Sequence, residues 1–271
     1  MNKKIISLLL LLSIGCYTTI VQAQEERNQS ILKSLTKGLE YRLKAGFNIG
    51  GTSPLPLPAE IRKINSYNPT TAFSIEGDVV KTFNNKWGIS TGIRLETKGM
   101  KTDATVKNYH MKMIASDGGE MEGQWTGGVT TTVKQSLLTI PVLAIYKVSK
   151  RWELELGPWF SYLTSGEFFG TAYDGYIRDV DPTGEKVNVL SATYDFNNDL
   201  RSFQWGLQLG AQWRAFSHLN VTGNVTWGMM SIFKKDFDTI TFDMYPIYAN
   251  LGFAYVCLLY TSPSPRDMRR S

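Results

Sequence analysis

Tyr41-Arg42-Leu43-Lys44-Ala45-Gly46-Phe47-Asn48-Ile49 sets Tyr, Leu, Ala, Phe and Ile at odd positions and Arg, Lys, Gly and Asn at even ones. Successive side chains of a strand point to opposite faces, so this stretch is a strand with one apolar and one charged or small face. The same alternation returns along the chain. Phe73–Val79 repeats it, and Trp87–Lys98 opposes Trp87, Ile89, Ile93 and Leu95 to Ser90, Arg94, Glu96 and Lys98. Trp152, Leu154, Leu156, Phe160 and Tyr162 oppose Glu153, Glu155 and Ser161. Trp205–Trp213, Leu219–Trp227 and Ile247–Tyr255 follow the rule, while Leu137–Tyr146 is apolar on both faces and leaves its orientation open. The reading is all-β, with about eight antiparallel strands.

The connections alternate as well. Short turns at Asn84-Asn85-Lys86, Val148-Ser149-Lys150 and Ser217-His218 separate long segments at roughly 51–70, 99–134, 165–201 and 231–243. Short turns at one end and long loops at the other is the plan of an up-and-down transmembrane barrel, with turns in the periplasm and loops outside the cell. Alternation alone does not say which face meets lipid, because a soluble barrel turns its apolar face inward. The strand ends decide it. Trp87, Tyr146, Trp152, Trp213 and Phe216 adjoin the short turns, and Phe73, Tyr162, Phe203, Trp227 and Tyr245 adjoin the long segments. Two aromatic belts around an aliphatic band match the two faces of a bilayer.

Composition agrees with this reading. In 271 residues the chain carries 12% aromatics, 24 Gly and 2 Cys, which excludes a disordered chain and a disulfide scaffold. Beyond the first twenty or so residues no apolar run is long enough for a membrane helix. The formal charge of +5 sits mostly at the ends, in Lys3 and Lys4 and in Arg266, Arg269 and Arg270 against Asp267. The body between is close to neutral, and nucleic acid is not an expected partner.

Met1–Ala23 has the form of a secretory signal, with a basic start, an apolar stretch Ile5–Ile14 and small residues at Val21 and Ala23. A lipoprotein signal ending at Cys16 is the rival reading, and both take the chain out of the cytoplasm. Residues 24–40 form a periplasmic leader whose Ile31, Leu32, Leu35 and Leu39 fall at helical spacing, with an amphipathic helix and a disordered segment both open. The barrel occupies 41–256. From Cys257, Cys-Leu-Leu-Tyr-Thr-Ser-Pro-Ser-Pro-Arg-Asp matches a translated sequencing adapter, so 257–271 is expected to be a non-native tail that cuts off the last strand.

Tyr41–Gly50, the hairpin from Phe73 to Met100, Leu138-Thr139-Ile140-Pro141-Val142, Leu154-Glu155-Leu156-Gly157-Pro158 and Asn250–Tyr255 together resemble the PorT-like outer-membrane barrels of Bacteroidota. The similarity spans nearly the whole mature chain and rests on the ordered series rather than on any one motif. It implies a small porin-family barrel of a Gram-negative outer membrane and a link to type IX secretion or gliding.

A barrel of about eight strands has an interior that side chains can fill. The inward set by parity is Arg42, Lys44, Arg94, Lys98 and Arg214 against Glu76, Asp78, Glu96, Glu153 and Glu155. Equal numbers of each sign predict an ion-paired plug, because an unpaired charge in a dry interior costs several kcal/mol. A small pore or transporter is the alternative. The two histidines, His110 in a long segment and His218 in a short turn, have no catalytic pattern about them, so no enzyme is expected. Asp117, Glu120, Glu122, Asp174, Asp179, Asp181 and Glu185 fit no calcium-loop spacing, and neither metal nor cofactor is expected. The expected surroundings are outer-membrane lipid and lipopolysaccharide. Tyr109, Trp125, Phe168, Phe169, Tyr173, Tyr176 and Tyr194 in segments 99–134 and 165–201 either contact a protein or glycan partner or pack those segments together.

Overall fold

A computed structural model describes residues 39–257 except 71, 116–117, 180–181, 238 and 241. The signal segment, the leader up to residue 38 and the tail beyond Cys257 lie outside the described residues. Ten strands form one antiparallel system: β1 Leu39–Pro54, β2 Ile61–Pro69, β3 Ala72–Thr82, β4 Trp87–Ala115, β5 Glu120–Lys147, β6 Trp152–Asp179, β7 Lys186–Asp195, β8 Phe203–Arg214, β9 Leu219–Gly228 and β10 Met244–Cys257. Eight of them close a ring in the order β1-β3-β4-β5-β6-β8-β9-β10. The ring shuts where β10 pairs with β1 from Pro54↔Met244 to Tyr41↔Cys257. Closure leaves the ring no free strand edge, which lipid requires because it offers nothing to bond an unpaired backbone group.

Inside and outside follow the parity of each strand. On β1 the even residues Arg42, Lys44 and Asn48 are buried while Leu43, Phe47 and Ile49 are exposed. On β8, Gln204, Gln208 and Gln212 point in, and Trp205, Leu207 and Leu209 point out. Every member of the expected aromatic belts lies on the outward face: Phe73, Trp87, Trp152, Tyr162, Trp213 and Trp227 are exposed, and Tyr146 and Tyr245 are half-buried. Trp87 and Tyr146 pack together on neighbouring strands, with ring centroids 4.7 Å apart. The doubly apolar stretch of β5 takes the odd-inward phase, with Thr139, Leu143 and Ile145 buried and Leu138 and Ile140 exposed.

The long segments 99–134 and 165–201 are not loops. β4 has 29 residues and β5 and β6 have 28 each, whereas about 9–11 tilted residues cross a bilayer. β4 and β5 stay paired from the membrane band through this outer extension, as far as Ile114↔Glu120 at the β4–β5 tip. β7 adds to the outer part of β6, and its Thr193 and Ala192 reach β4 at Ile114 and Ala115. β2 adds to β4 over Met100–Val106. Register shifts punctuate the extension, and two of them coincide with a left-handed residue. One lies between Val106 and Tyr109 of β4, at Asn108 with φ 52°, and the other faces Asp174 of β6 with φ 49°. Asn and Asp tolerate this left-handed backbone better than other side-chain-bearing residues, so the extra residue of each bulge falls where it is least costly.

The extension has its own apolar core. Met100, Met111, Met113, Trp125, Phe168 and Phe233 are buried there with their neighbours. On β4 the inward face changes chemistry without changing phase: Arg94, Glu96 and Lys98 are followed by Met100, Thr102, Ala104 and Val106. Outward residues change in the opposite sense, from Ile93 and Leu95 to Lys101 and Asp103. Lipid surrounds the lower half and water the upper, and each solvent takes the face that suits it.

Candidate functional site

In the lower half, strands β1, β3, β4 and β6 each aim two or more charged side chains into the lumen. Arg42 of β1 donates to Glu153 of β6 at 2.9 Å and to Glu40, and reaches Glu155 at 3.9 Å. Lys44, one inward position higher, lies 3.3 Å from Glu76, 3.2 Å from Asp78 and 3.5 Å from Glu155. Arg94 bonds Glu76 and, through Nη2, the side-chain oxygen of Gln208 at 2.9 Å. Glu96 lies 3.1 Å from Lys98 and accepts the Thr139 hydroxyl at 2.8 Å. Gln212 donates to Glu155, and Ser90 to Asp78 at 2.8 Å. Asn250 spans to Asn48 and Ser74 at 2.8 and 2.9 Å, tying β10 to β1 and β3.

Arg214 is not a member of this network. Parity would turn it inward, but it is the last residue of β8, below the level of Gln212, and it is exposed. A cation at a strand end has water within reach, so it is not drawn into the interior. The buried set is therefore Arg42, Lys44, Arg94 and Lys98 against Glu76, Asp78, Glu96, Glu153 and Glu155, with half-buried Glu40 and Lys147 at the rim. The lumen carries an excess of one carboxylate instead of the equal numbers expected from sequence.

Two aromatic residues that the alternation reading did not place inside complete the plug. Trp159 of β6 and Tyr248 of β10 are almost fully buried, and their ring centroids lie 4.9 and 5.5 Å from the Lys98 ammonium. Trp159 donates its indole N–H to the Leu207 carbonyl at 3.2 Å. Counting from Glu153 and Glu155 in steps of two reaches Trp159 and Ser161, so the signal was present; Pro158 and Phe160 around it made the stretch look uniformly apolar. Lys98 under these rings marks the boundary between the charged lumen below and the apolar core above.

In the outer extension, Trp125, Phe168 and Tyr194 are buried, and Tyr109 packs against the same core. These aromatics hold the extension together. Phe168 sits 4.9 Å from Phe233 and 6.1 Å from Phe196. Phe169, Tyr173 and Tyr176 stay toward the surface, the last beneath Lys186 at 4.5 Å and Arg178 at 5.6 Å. His110 contacts the Thr239 carbonyl at 3.2 Å and lies 3.7 Å from Glu122, and His218 contacts the Val256 carbonyl at 3.2 Å. Among the described residues no cluster has the make-up of a metal site.

Asp103 of β4 knots three strands of the extension. Its carboxylate accepts the Tyr173 hydroxyl at 2.6 Å, the Thr130 hydroxyl at 3.0 Å and the Asn65 amide at 2.8 Å. The Tyr173 ring lies across Gly128, where any Cβ would meet it, so glycine is required for this approach. The Tyr173 hydroxyl first, and the Asn65 and Thr130 donors after it, hold the Asp103 carboxyl below its usual range. A lowered folded value means that the knot contributes in full above the unfolded value of about 3.9 and is lost as pH falls through the folded one. Acidification below about pH 3.9 is expected to make β2 accessible to pepsin in the wild type. Asp103→Asn should show that accessibility already at about pH 5, where pepsin still cleaves and the wild-type carboxylate is still charged. An acid step of equal size in the variant would sink the assignment.

The outer membrane protein beta-barrel domain family matches residues 22–234. Ail, the attachment invasion locus protein of Yersinia pestis, solved with a heparin analogue, is 11% identical over 81% of this chain and 97% of its own, with a TM-score of 0.34. Neisserial surface protein A is 9% identical over 81% and 97%, with a TM-score of 0.29. OprG of Pseudomonas aeruginosa is 13% identical over 80% and 95%, with a TM-score of 0.28. None of the curated proteins matches the sequence. With the closed ring, the outward aromatic belts and a family match over most of its length, the protein is one of the outer membrane, and the chain belongs to the outer membrane protein β-barrel domain family.

Proposed function

We propose that the protein is a non-conducting, non-enzymatic surface barrel whose outer extension is the working part, presented to a protein or glycan partner. The observation that carries this reading is the filled lumen. Ion pairs run from Glu153 to Lys98 across four strands, and Trp159 and Tyr248 cover the end of the series. A plug of mutually bonded charges in a barrel of this size leaves no aqueous path. The extension is ordered by a core of its own, so its surface is a preformed platform with little ordering entropy to lose on binding. Resemblance to the PorT-like family directs the search for that partner to type IX secretion and gliding components of Bacteroidota.

Purified protein added to a planar bilayer is expected to give no discrete conductance steps. Reproducible steps would overturn the plug and bring forward the alternative, a small pore or transporter. The partner arm uses a photo-crosslinking amino acid at Leu190, which is 88% exposed on β7. Covalent capture in cells of an outer-membrane or secretion component supports the interaction role, and the absence of any adduct counts against it.

A further inference from the structure

The core of the outer extension is not fully packed. A cavity of about 320 Å³ lies where the top of β1 faces β2 and β4. Its inner wall is formed by Met100, Val106, Val129, Phe168, Phe242 and Met244, and among the described residues no charged one lines it. The volume is roughly twice the ~150 Å³ at which a dry apolar cavity takes up benzene, and it falls in the ~300–1,000 Å³ range of ligand sites.

The wall of this cavity is also incomplete. β2 ends the strand order: it pairs with β4 along one edge and, among the described residues, forms no ladder along the other, which faces β1. Among the described residues a side-chain bond crosses that seam from the Tyr67 hydroxyl to the Gly50 carbonyl. Leu57, Ile64 and Tyr67 line the cavity at the seam and are also exposed to the outside. An exposed strand edge with apolar side chains beside an apolar cavity is a passage. It opens immediately above the outer aromatic belt, since Phe73 of that belt follows β2 in the chain and Lys98 and Met100 mark the same level on β4.

The geometry points to a binding site for an uncharged apolar molecule of hydrocarbon or acyl-chain character, entered between β1 and β2 at the outer surface of the membrane. An anion or a sugar finds no fixed charge inside to replace its water, whereas an alkyl or aryl group exchanges water for Met, Val and Phe side chains. Met100, Met244 and the half-buried Phe242 supply adaptable walls, which suits a site selective for apolarity more than for shape.

Full-length protein in phosphatidylcholine nanodiscs is irradiated in two separate samples. One contains a phosphatidylcholine carrying a diazirine at an acyl-chain end, and the other a free trifluoromethyl-phenyl-diazirine; adducts are then mapped by peptide mass spectrometry. Adducts are expected on Met100, Phe168 or Met244 as well as on lipid-facing Leu43, Phe47 and Ile93. Cavity adducts from the phospholipid identify a membrane acyl chain as the occupant, and cavity adducts from the free probe alone identify a diffusible apolar molecule. Ala104→Trp fills the cavity and is expected to abolish the cavity adducts while those on Leu43 and Phe47 persist. Labelling confined to the lipid-facing residues in the wild type overturns the site, as does cavity labelling unchanged by Ala104→Trp in a variant that keeps its heat-dependent gel shift.

Discussion

Arg94→Met is expected to lower the stability of the folded barrel by about 3–5 kcal/mol, read as a lower urea midpoint for unfolding in detergent. Arg94 is the link between the two halves of the lumen network, bonded to its cross-strand partner Glu76, to Glu96 one inward position higher on its own strand and to Gln208 across the barrel. Its loss leaves Arg42, Lys44 and Lys98 to balance Glu76, Asp78, Glu96, Glu153 and Glu155 in an interior shielded from water. The cost is mainly that of stranded carboxylates, not of one missing bond. Asp78→Asn supplies the contrast. Asp78 shares Lys44 with two other carboxylates, and its Oδ1 has no hydrogen-bond partner among the described residues. Removing that charge brings the buried set into balance, so the change is expected to stay within about 1 kcal/mol of wild type or to stabilise. Equal losses from the two substitutions would mean that volume and packing, not charge balance, govern the lumen.

Trp125→Ala should produce a loss of similar size in a different place. Trp125 is fully buried in the outer extension, donates to the Gly128 carbonyl at 3.3 Å, and packs against Gly127 and Gly175. A large-to-small change at such a site costs about 3–5 kcal/mol, and here that energy belongs to a part of the sheet standing in water. The backbone bonds of the extension can exchange to solvent, whereas those of the membrane band cannot. The extension is therefore expected to open locally while the ring holds. Limited trypsin digestion should cut near Lys112 and Lys186 in Trp125→Ala and not in the wild type, with the boiled–unboiled gel shift retained in both. Loss of the gel shift together with the new cuts would show one cooperative unit and would contradict the division into two solvents.

The contrast between these substitutions explains what could be read from the sequence. In the membrane band the apolar face is outside and the charged face inside. Period-2 alternation with aromatic ends therefore marks β1, β3, β8, β9 and β10 and the lower parts of β4 and β6, and nine of the ten charged residues that parity turns inward are buried. Arg214 failed because parity carries no information on where a strand leaves the barrel. Trp159 and Tyr248 were missed because an inward aromatic on a membrane strand has the same composition as an outward one. The outer halves of β4, β5 and β6 look like loops in the sequence for a related reason. Their inward residues, such as Met111, Met113 and Trp125, alternate with polar outward ones such as Lys112 and Gln124, and the bulges at Asn108 and Asp174 break the count. A pattern sought with lipid as the surrounding solvent becomes illegible where the surroundings turn to water.

What the sequence determined by itself was the barrel: closed antiparallel strands, the side that meets lipid, the ends that carry short turns, and a charged interior. These follow from local alternation and from the difference between hydrocarbon and water, and both are written residue by residue. Only the tertiary structure decided which charges pair, that Lys98 lies under Trp159 and Tyr248, that the long segments fold into a second apolar core, and that β2 stands with one edge unpaired beside a cavity. Each of these depends on the stagger between strands distant in sequence. Stagger is set by closure of the whole ring, and no single stretch of the chain contains it.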